Sequence, residues 1–361
     1  MMNEVVSHFT MKILNTDWII NRFLSIVKVY HKMSSTITIL NIIQGYLTIT
    51  LGCLLVVGVI GNSLNCLVFL RKRLRSNPCS IFFVAASFAN IIVLIYYLIP
   101  TIYSTYNSPA LENIDIFYCK IRLYLRNILL VTSRTYLAFA CAACYAQTSR
   151  SIRVRQLFQQ KRTLKIVFIV PCIWLIIPIH IPIFTYIQNG KCQMWLSAAA
   201  LYHSIYICFV AAILPTSLMA IFNLLAYKNL QKMLRNIHPN MTHEELLNSQ
   251  IERIRLSKND RQLSKMLFIQ IIVYMIFTIT YPIQTVYNAI IAIIGKTRST
   301  ERIAIENFTL FLTQTFLLNF YSATSFFIFL TSTAFRKSLR KLSISICNQR
   351  RRPRNRVLTS G

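Results

Sequence analysis

The sequence predicts an all-α membrane protein: a bundle of seven transmembrane helices followed by a short amphipathic helix. Composition is the first reason, because 55% of the 361 residues are hydrophobic and only 14% are charged. A single soluble core cannot hide that much apolar surface. The second is that apolar runs of about 20 residues, enough to cross a bilayer, recur along most of the chain. The third is that positive charge gathers on alternate connections between those runs.

The runs fall at about 45–70, 80–103, 119–146, 164–187, 198–228, 264–294 and 304–330. Each is a continuous apolar stretch without the ten-residue alternation of an outer-membrane barrel strand, so each reads as a helix. A bundle domain over residues 44–330 follows, between an N-terminal segment (1–43) and a C-terminal segment (331–361). In the latter, 335-FRKSLRKL-342 spaces Phe335, Leu339 and Leu342 as one helical face, with Arg336, Lys337, Arg340 and Lys341 between them. That pattern suits a short helix lying along a membrane surface. Cys347 follows in a basic setting as a lipidation candidate, and 350-RRRPRNRVLTSG-361 reads as a basic disordered tail.

A formal charge of +29 raises the question of nucleic acid. Most of the 39 lysines and arginines lie in or beside the segments between runs 1 and 2, 3 and 4, and 5 and 6, and after run 7. The positive-inside rule then puts the N-terminus outside and the C-terminus in the cytoplasm. The basic excess is expected to meet anionic lipid headgroups, and no nucleic-acid partner is expected. Residues 1–32, with Trp18, Arg22 and Lys28, show no clean cleavage site and are expected to be a mobile tail or sequence upstream of a start at Met33. The polar connection at 229–262 has a helical pattern at 243-HEELLNSQIERIRL-256; it either extends helices 5 and 6 to meet a partner or is a solvated charged helix.

Of ten cysteines, only Cys119 and Cys192 reach the outer, oxidising side in this topology, so a Cys119–Cys192 disulfide is expected. Cys53, Cys66, Cys141 and Cys208 are expected to be small packing residues. No His/Cys/Asp/Glu set has metal-ligand spacing and no glycine-rich phosphate loop follows a strand, so neither enzymatic chemistry nor a cofactor is expected. His180 and His203 read as isolated packing residues. A transporter or channel would call for paired charges along a pathway or broken helices in related halves, and neither pattern is read.

Beyond these features, 58-GVIGNSLNCLVF-69 carries a Gly61–Asn62 pair in the first run. Trp174, Pro215, Pro282 and the Phe335–Arg336 start of the last helix stand at matching places further on. In this order and spacing, with the outer cysteine pair, residues 44–345 resemble the rhodopsin-like (class A) G-protein-coupled receptors, most closely their peptide-receptor branch. The resemblance implies a cell-surface receptor for an extracellular peptide-like ligand, a neuropeptide, with a heterotrimeric G protein and arrestin as cytoplasmic partners. As chemistry, a membrane-buried Asn62 has to find polar partners and so ties the first helix to its neighbours.

Four switch positions depart from the family pattern. Asn90, in 83-FVAASFANIIVL-94, replaces an aspartate that binds sodium, keeping hydrogen bonding without the charge. Ala143, Cys144 and Tyr145 stand in place of Asp-Arg-Tyr, and a thiol cannot replace an arginine's charge or fork of donors. In 279-ITYP-282 the proline, Pro282, remains but Thr280 replaces a tryptophan, and 324-TSFFI-328 replaces Asn-Pro-x-x-Tyr. Either the chain signals through altered switches, with Arg150 and Arg153 serving in part for the lost arginine, or it binds ligand without coupling, as a decoy or scavenger does.

Arg126 and Arg134 lie inside the third run, eight residues apart and so on nearly one face. A centrally placed arginine costs about 3 kcal/mol on insertion scales and should face the bundle interior. Neither is expected to find an acidic partner in the helices. Arg126 sits at the depth of the family's ligands: it either attracts a carboxylate, acidic side chain or peptide carbonyl, or snorkels to the outer surface. Arg134 is expected to bond helix carbonyls or Asn and Tyr side chains. Asn127, Gln284, Tyr287 and Gln314 are expected to line the same pocket with uncharged polar ends, a lining suited to a peptide.

Overall fold

The computed structural model describes residues 36–75, 77–107, 110–188, 190–194, 197–235, 264–294 and 299–351. The N-terminal tail, the helical pattern at 243–256 and the residues after 351 lie outside these. Among the described residues, six helices are long and apolar enough to cross a membrane: α1 (Thr36–Phe69), α2 (Pro78–Tyr106), α3 (Ile116–Thr148), α4 (Gln160–Phe184), α5 (Ala198–Lys232) and α6 (Ser264–Ile291). A further helix, α7 (Glu301–Leu330), meets the same test together with Phe335–Leu342, to which it is bent by 91°. That last stretch belongs to α8 (Thr333–Arg351). The chain is a multi-pass membrane protein.

The helices start and stop close to the apolar runs, with two differences. α1 begins at Thr36, ahead of the run, because 36-TITILNIIQ-44 keeps enough isoleucine and leucine to carry the helix outward. The fourth run ends early. Pro178 leaves helical geometry (φ −85°, ψ 21°), and the chain turns into a hairpin of β1 (Thr185–Gln188) and β2 (Lys191–Met194). Gly190, at φ 69°, makes the turn, a conformation that only glycine adopts at little cost.

Side-chain caps fix several helix starts. Asn77 accepts from the Cys79 amide (2.9 Å) with Pro78 at the first position of α2, and Asp115 accepts from the Phe117 amide (2.8 Å) at α3. Ser299 caps α7 by accepting from the Arg302 amide at 3.3 Å.

α3 is the central helix. Its apolar window is 78% buried, against 22% for α1, and it packs on α2, α4 and α5. Buried Ala140, Cys141, Ala143 and Ala146 allow the close approach on which helix packing in lipid depends. On the outside, Phe88, Phe168, Ile176 and Ile283 are each at least 60% exposed, an apolar surface suited to hydrocarbon. Gly58 and Gly61 press α1 onto its neighbours: a Cβ at Gly58 would come within 2.7 Å of Leu94 and 2.8 Å of Ala323, and one at Gly61 within 2.7 Å of Phe326.

Three helices contain π-helical segments: Leu94–Leu98 in α2, Ile207–Ile213 in α5 and Phe311–Leu317 in α7. Pro100 and Pro215 follow the first two and have no N–H to return to the preceding turn. Carbonyls are thereby freed inside an apolar bundle and have to be satisfied from elsewhere. α8 packs through Phe335, buried against Phe69, Phe326 and Phe329, and leaves Arg336, Lys337, Arg340 and Lys341 exposed. Arg71 holds it by donating to the Ser338 carbonyl at 2.9 Å.

Candidate functional site

Carbonyls in two of the π-helical segments meet side-chain donors from α3. Arg122, Arg126 and Arg134 are 3%, 4% and 5% exposed. Arg126 donates to the carbonyl of Gln314, inside the π segment of α7, and its guanidinium lies 4.1 Å above the ring of Tyr97. Tyr97, in the π segment of α2, shares a hydrogen bond of 3.2 Å with Thr315. Arg134 donates to the carbonyl of Ala211 (3.3 Å), inside the π segment of α5 and four residues before Pro215. Tyr274 of α6 donates to the same carbonyl at 2.8 Å and places its ring beneath the Arg134 guanidinium, 5.1 Å away. Two buried cations are thus held by backbone dipoles and aromatic faces.

A cavity of about 400 Å³ opens between α3, α5, α6 and α7 and reaches from the hairpin down to Arg134. Arg126, Asn127 and Gln314 line it together. Asn127 accepts from the Tyr206 hydroxyl at 3.0 Å. Gln284 and Tyr287 are not among its lining residues. Gln284 donates to Asn288 (3.3 Å), and Tyr287, 37% exposed, donates to Glu306 (3.0 Å) and accepts from Arg302 (2.9 Å).

Two expectations are corrected here. The helices do hold a buried acid: Glu306 of α7, 8% exposed, lines the cavity. Its partners include Arg302, 3.1 Å away, and Tyr287, and Arg126 and Arg134 are left with uncharged acceptors. His180 and His203 are not isolated. Their rings meet through Nε2 and Nδ1 at 3.1 Å, with Tyr202 and Tyr206 packed around His180.

The hairpin forms the roof. Cys119 and Cys192 are joined in a disulfide that pins β2 to the start of α3, with Cα atoms 5.8 Å apart. Asn113 accepts from the Cys192 amide (3.0 Å), and Lys120 lies 4.1 Å over the Tyr186 ring. Beside them, Glu112 pairs with Arg122, which also donates to the Thr101 hydroxyl at 2.6 Å. Cys141 is buried and Cys66 half-buried, whereas Cys53 and Cys172 lie on exposed faces.

Below the cavity, Asn62 donates to the carbonyls of Gly58 (2.8 Å) and Ser322 (3.1 Å) and accepts from Ser325 (2.9 Å) and Asn90 (3.4 Å). Asn90 in turn accepts from Ser133 at 2.7 Å. One network therefore joins α1, α2, α3 and α7. An amide at position 90 both gives and accepts hydrogen bonds, and a carboxylate could not donate to Asn62. Thr280 lies just past the break at Ile279, its hydroxyl buried without a partner. Pro282 is buried, and its carbonyl accepts from Thr285.

At the far end of α3, Ala143 is fully buried and Cys144 is 7% exposed, while Tyr145 packs on Phe222 with ring centroids 6.0 Å apart. Arg150 and Arg153 are exposed in the segment that follows. Cys347 falls within α8.

No known family model and no curated protein matches the chain.

The site thus rests on its own geometry: a roofed cavity with a cationic floor inside a membrane bundle. Sequence reading missed Arg122, Tyr97 and Glu306, and also Tyr281, which lines the cavity. Arg122 was open to discovery, being one helical turn before Arg126. Tyr97 was not, since a π turn shifts the face that a residue presents.

Proposed function

We propose that this chain is a cell-surface receptor of the rhodopsin-like type, which takes a peptide ligand from outside the cell and passes the signal to a heterotrimeric G protein. The observation that carries this reading is the cavity of about 400 Å³ among α3, α5, α6 and α7, roofed by the hairpin that the Cys119–Cys192 disulfide ties to α3. A pocket lined by amides, hydroxyls and one pair of cations, whose one carboxylate, Glu306, is engaged by Arg302 and Tyr287, suits a peptide better than a monoamine, which would need a carboxylate to itself. The Lys and Arg distribution supports an outside N-terminus. Exposed basic residues on α8, beside a buried Phe335, suit contact with anionic lipid.

The far end of α3 favours a second reading, capture of ligand without transmission. Ala143 and Cys144 are buried and bring no guanidinium to the surface where a G protein would dock. The test expresses the wild type beside Ala143→Asp/Cys144→Arg, screens a peptide library, and records surface binding and G-protein activation in the same cells. Activation by the wild type supports the receptor. Binding by both with activation by the double variant alone supports capture, and binding by neither removes both readings.

A further inference from the structure

We infer that the cavity takes an acidic ligand whose oxyanion, a carboxylate above all, binds Arg126 in exchange for the Gln314 carbonyl, with Arg134 as a second cation beneath it. This deepens the receptor reading and rests on it for physiological meaning. Both guanidiniums line the cavity at 4% and 5% exposure, and each has a buried nitrogen without a hydrogen-bond partner, Nε of Arg126 and Nη2 of Arg134. A guanidinium offers five N–H donors in a planar fork, of which a single carbonyl uses little. A carboxylate accepts two in parallel, and a charge-assisted bond is about twice as strong as a neutral one.

The other charged group in the wall does not oppose this. Glu306 is engaged by Arg302 and Tyr287. It stands eight residues before Gln314 on α7, about 12 Å along the helix axis. The floor is therefore left net positive, in surroundings of low dielectric that strengthen its pull. Seating the acid has a structural consequence, because the Gln314 carbonyl loses its donor inside the π segment Phe311–Leu317. Ligand charge is thereby linked to the freedom of α7.

The test uses full-length protein in nanodiscs with a reporter cysteine, Asn288→Cys or Thr285→Cys, both positions lining the cavity. Each is labelled with anionic sulfonatoethyl or cationic trimethylammonioethyl methanethiosulfonate, with the unsubstituted protein as the measure of native-cysteine background. Relative to a free thiol, the anionic reagent should react at least about 10-fold faster than the cationic one, the scale of focusing expected in a charged cleft. Arg126→Gln should remove most of that preference. Once attached, the sulfonate should raise amide exchange over 311–317, and the trimethylammonium should not. A ratio at or below that of a free thiol, a ratio indifferent to Arg126→Gln, equal exchange with both tethers, or no reaction at either reporter would each overturn the inference. No G protein enters the assay, so its failure is distinct from failure of the receptor reading.

Discussion

Arg126 lies 4.1 Å above the ring of Tyr97 while donating to the Gln314 carbonyl, so one side chain of α3 is held at once by the irregular segments of α2 and α7. Tyr97 closes the triangle through its hydroxyl contact with Thr315. Tyr97→Phe should cost about 1 kcal/mol for the hydrogen bond. Tyr97→Leu should cost about 1 to 2 kcal/mol more, since a buried cation also loses its aromatic face. Thermal unfolding of the purified protein compares them. A leucine variant as stable as the phenylalanine variant would show that the ring face contributes nothing.

The asparagine network should be sensitive to chemistry more than to size. Asn62→Leu leaves Ser325 and Asn90 without their shared partner and should destabilise by about 1 to 3 kcal/mol. Asn90→Asp keeps the shape but loses the donor to Asn62, so it should also destabilise, and addition of sodium should not restore an uncharged wild-type level. The midpoint of thermal unfolding, with and without sodium, decides this.

Glycine at two places in α1 gives a matched pair. Gly58→Val drives a side chain into Leu94 and Ala323 and should cost about 1 to 3 kcal/mol as overpacking. Gly45→Ala meets nothing within 4 Å and should be neutral or stabilising by up to about 1 kcal/mol through helix propensity. Equal effects at both positions would remove the close α1 contact.

The disulfide ties the hairpin to α3, and the Glu112–Arg122 pair ties to the same helix the 111–113 turn, whose Asn113 accepts from the Cys192 amide. Cys119→Ser should lower stability by about 2 to 4 kcal/mol and reduce surface display. Glu112→Gln leaves a buried guanidinium without its charge partner, so it too should be costly. Because the two restrained connections meet through the Asn113–Cys192 contact, their double variant should depart from the sum by about 0.5 to 3 kcal/mol. Strict additivity, measured as Tm shifts in one detergent, would show that the two restraints are independent.

Much of this was legible in the sequence, for reasons that can be named. Continuous apolar runs located the helices because a span in lipid has to be apolar along its whole length. The cysteine pair was legible because the topology expected from the charge pattern leaves Cys119 and Cys192 alone on one side. Arg126 and Arg134 announced their burial by being charges inside an apolar run. The π segments were not legible, since a regular helical period was assumed through Leu94–Leu98 and Phe311–Leu317. With them went Tyr97. Glu306 was overlooked at the edge of the seventh run, and the meeting of His180 with His203 depends on the packing of α4 against α5, which spacing along the chain does not encode.

Two of the three buried arginines of α3 each donate into one irregular segment and hold it: Arg126 that of α7, Arg134 that of α5. Hydrogen–deuterium exchange on wild type, Arg126→Gln and Arg134→Gln in nanodiscs tests this assignment most directly. Arg126→Gln should raise exchange over 311–317 with little change over 207–213, and Arg134→Gln should do the reverse. Unchanged exchange in both segments, or the same rise in both for either variant, would contradict it.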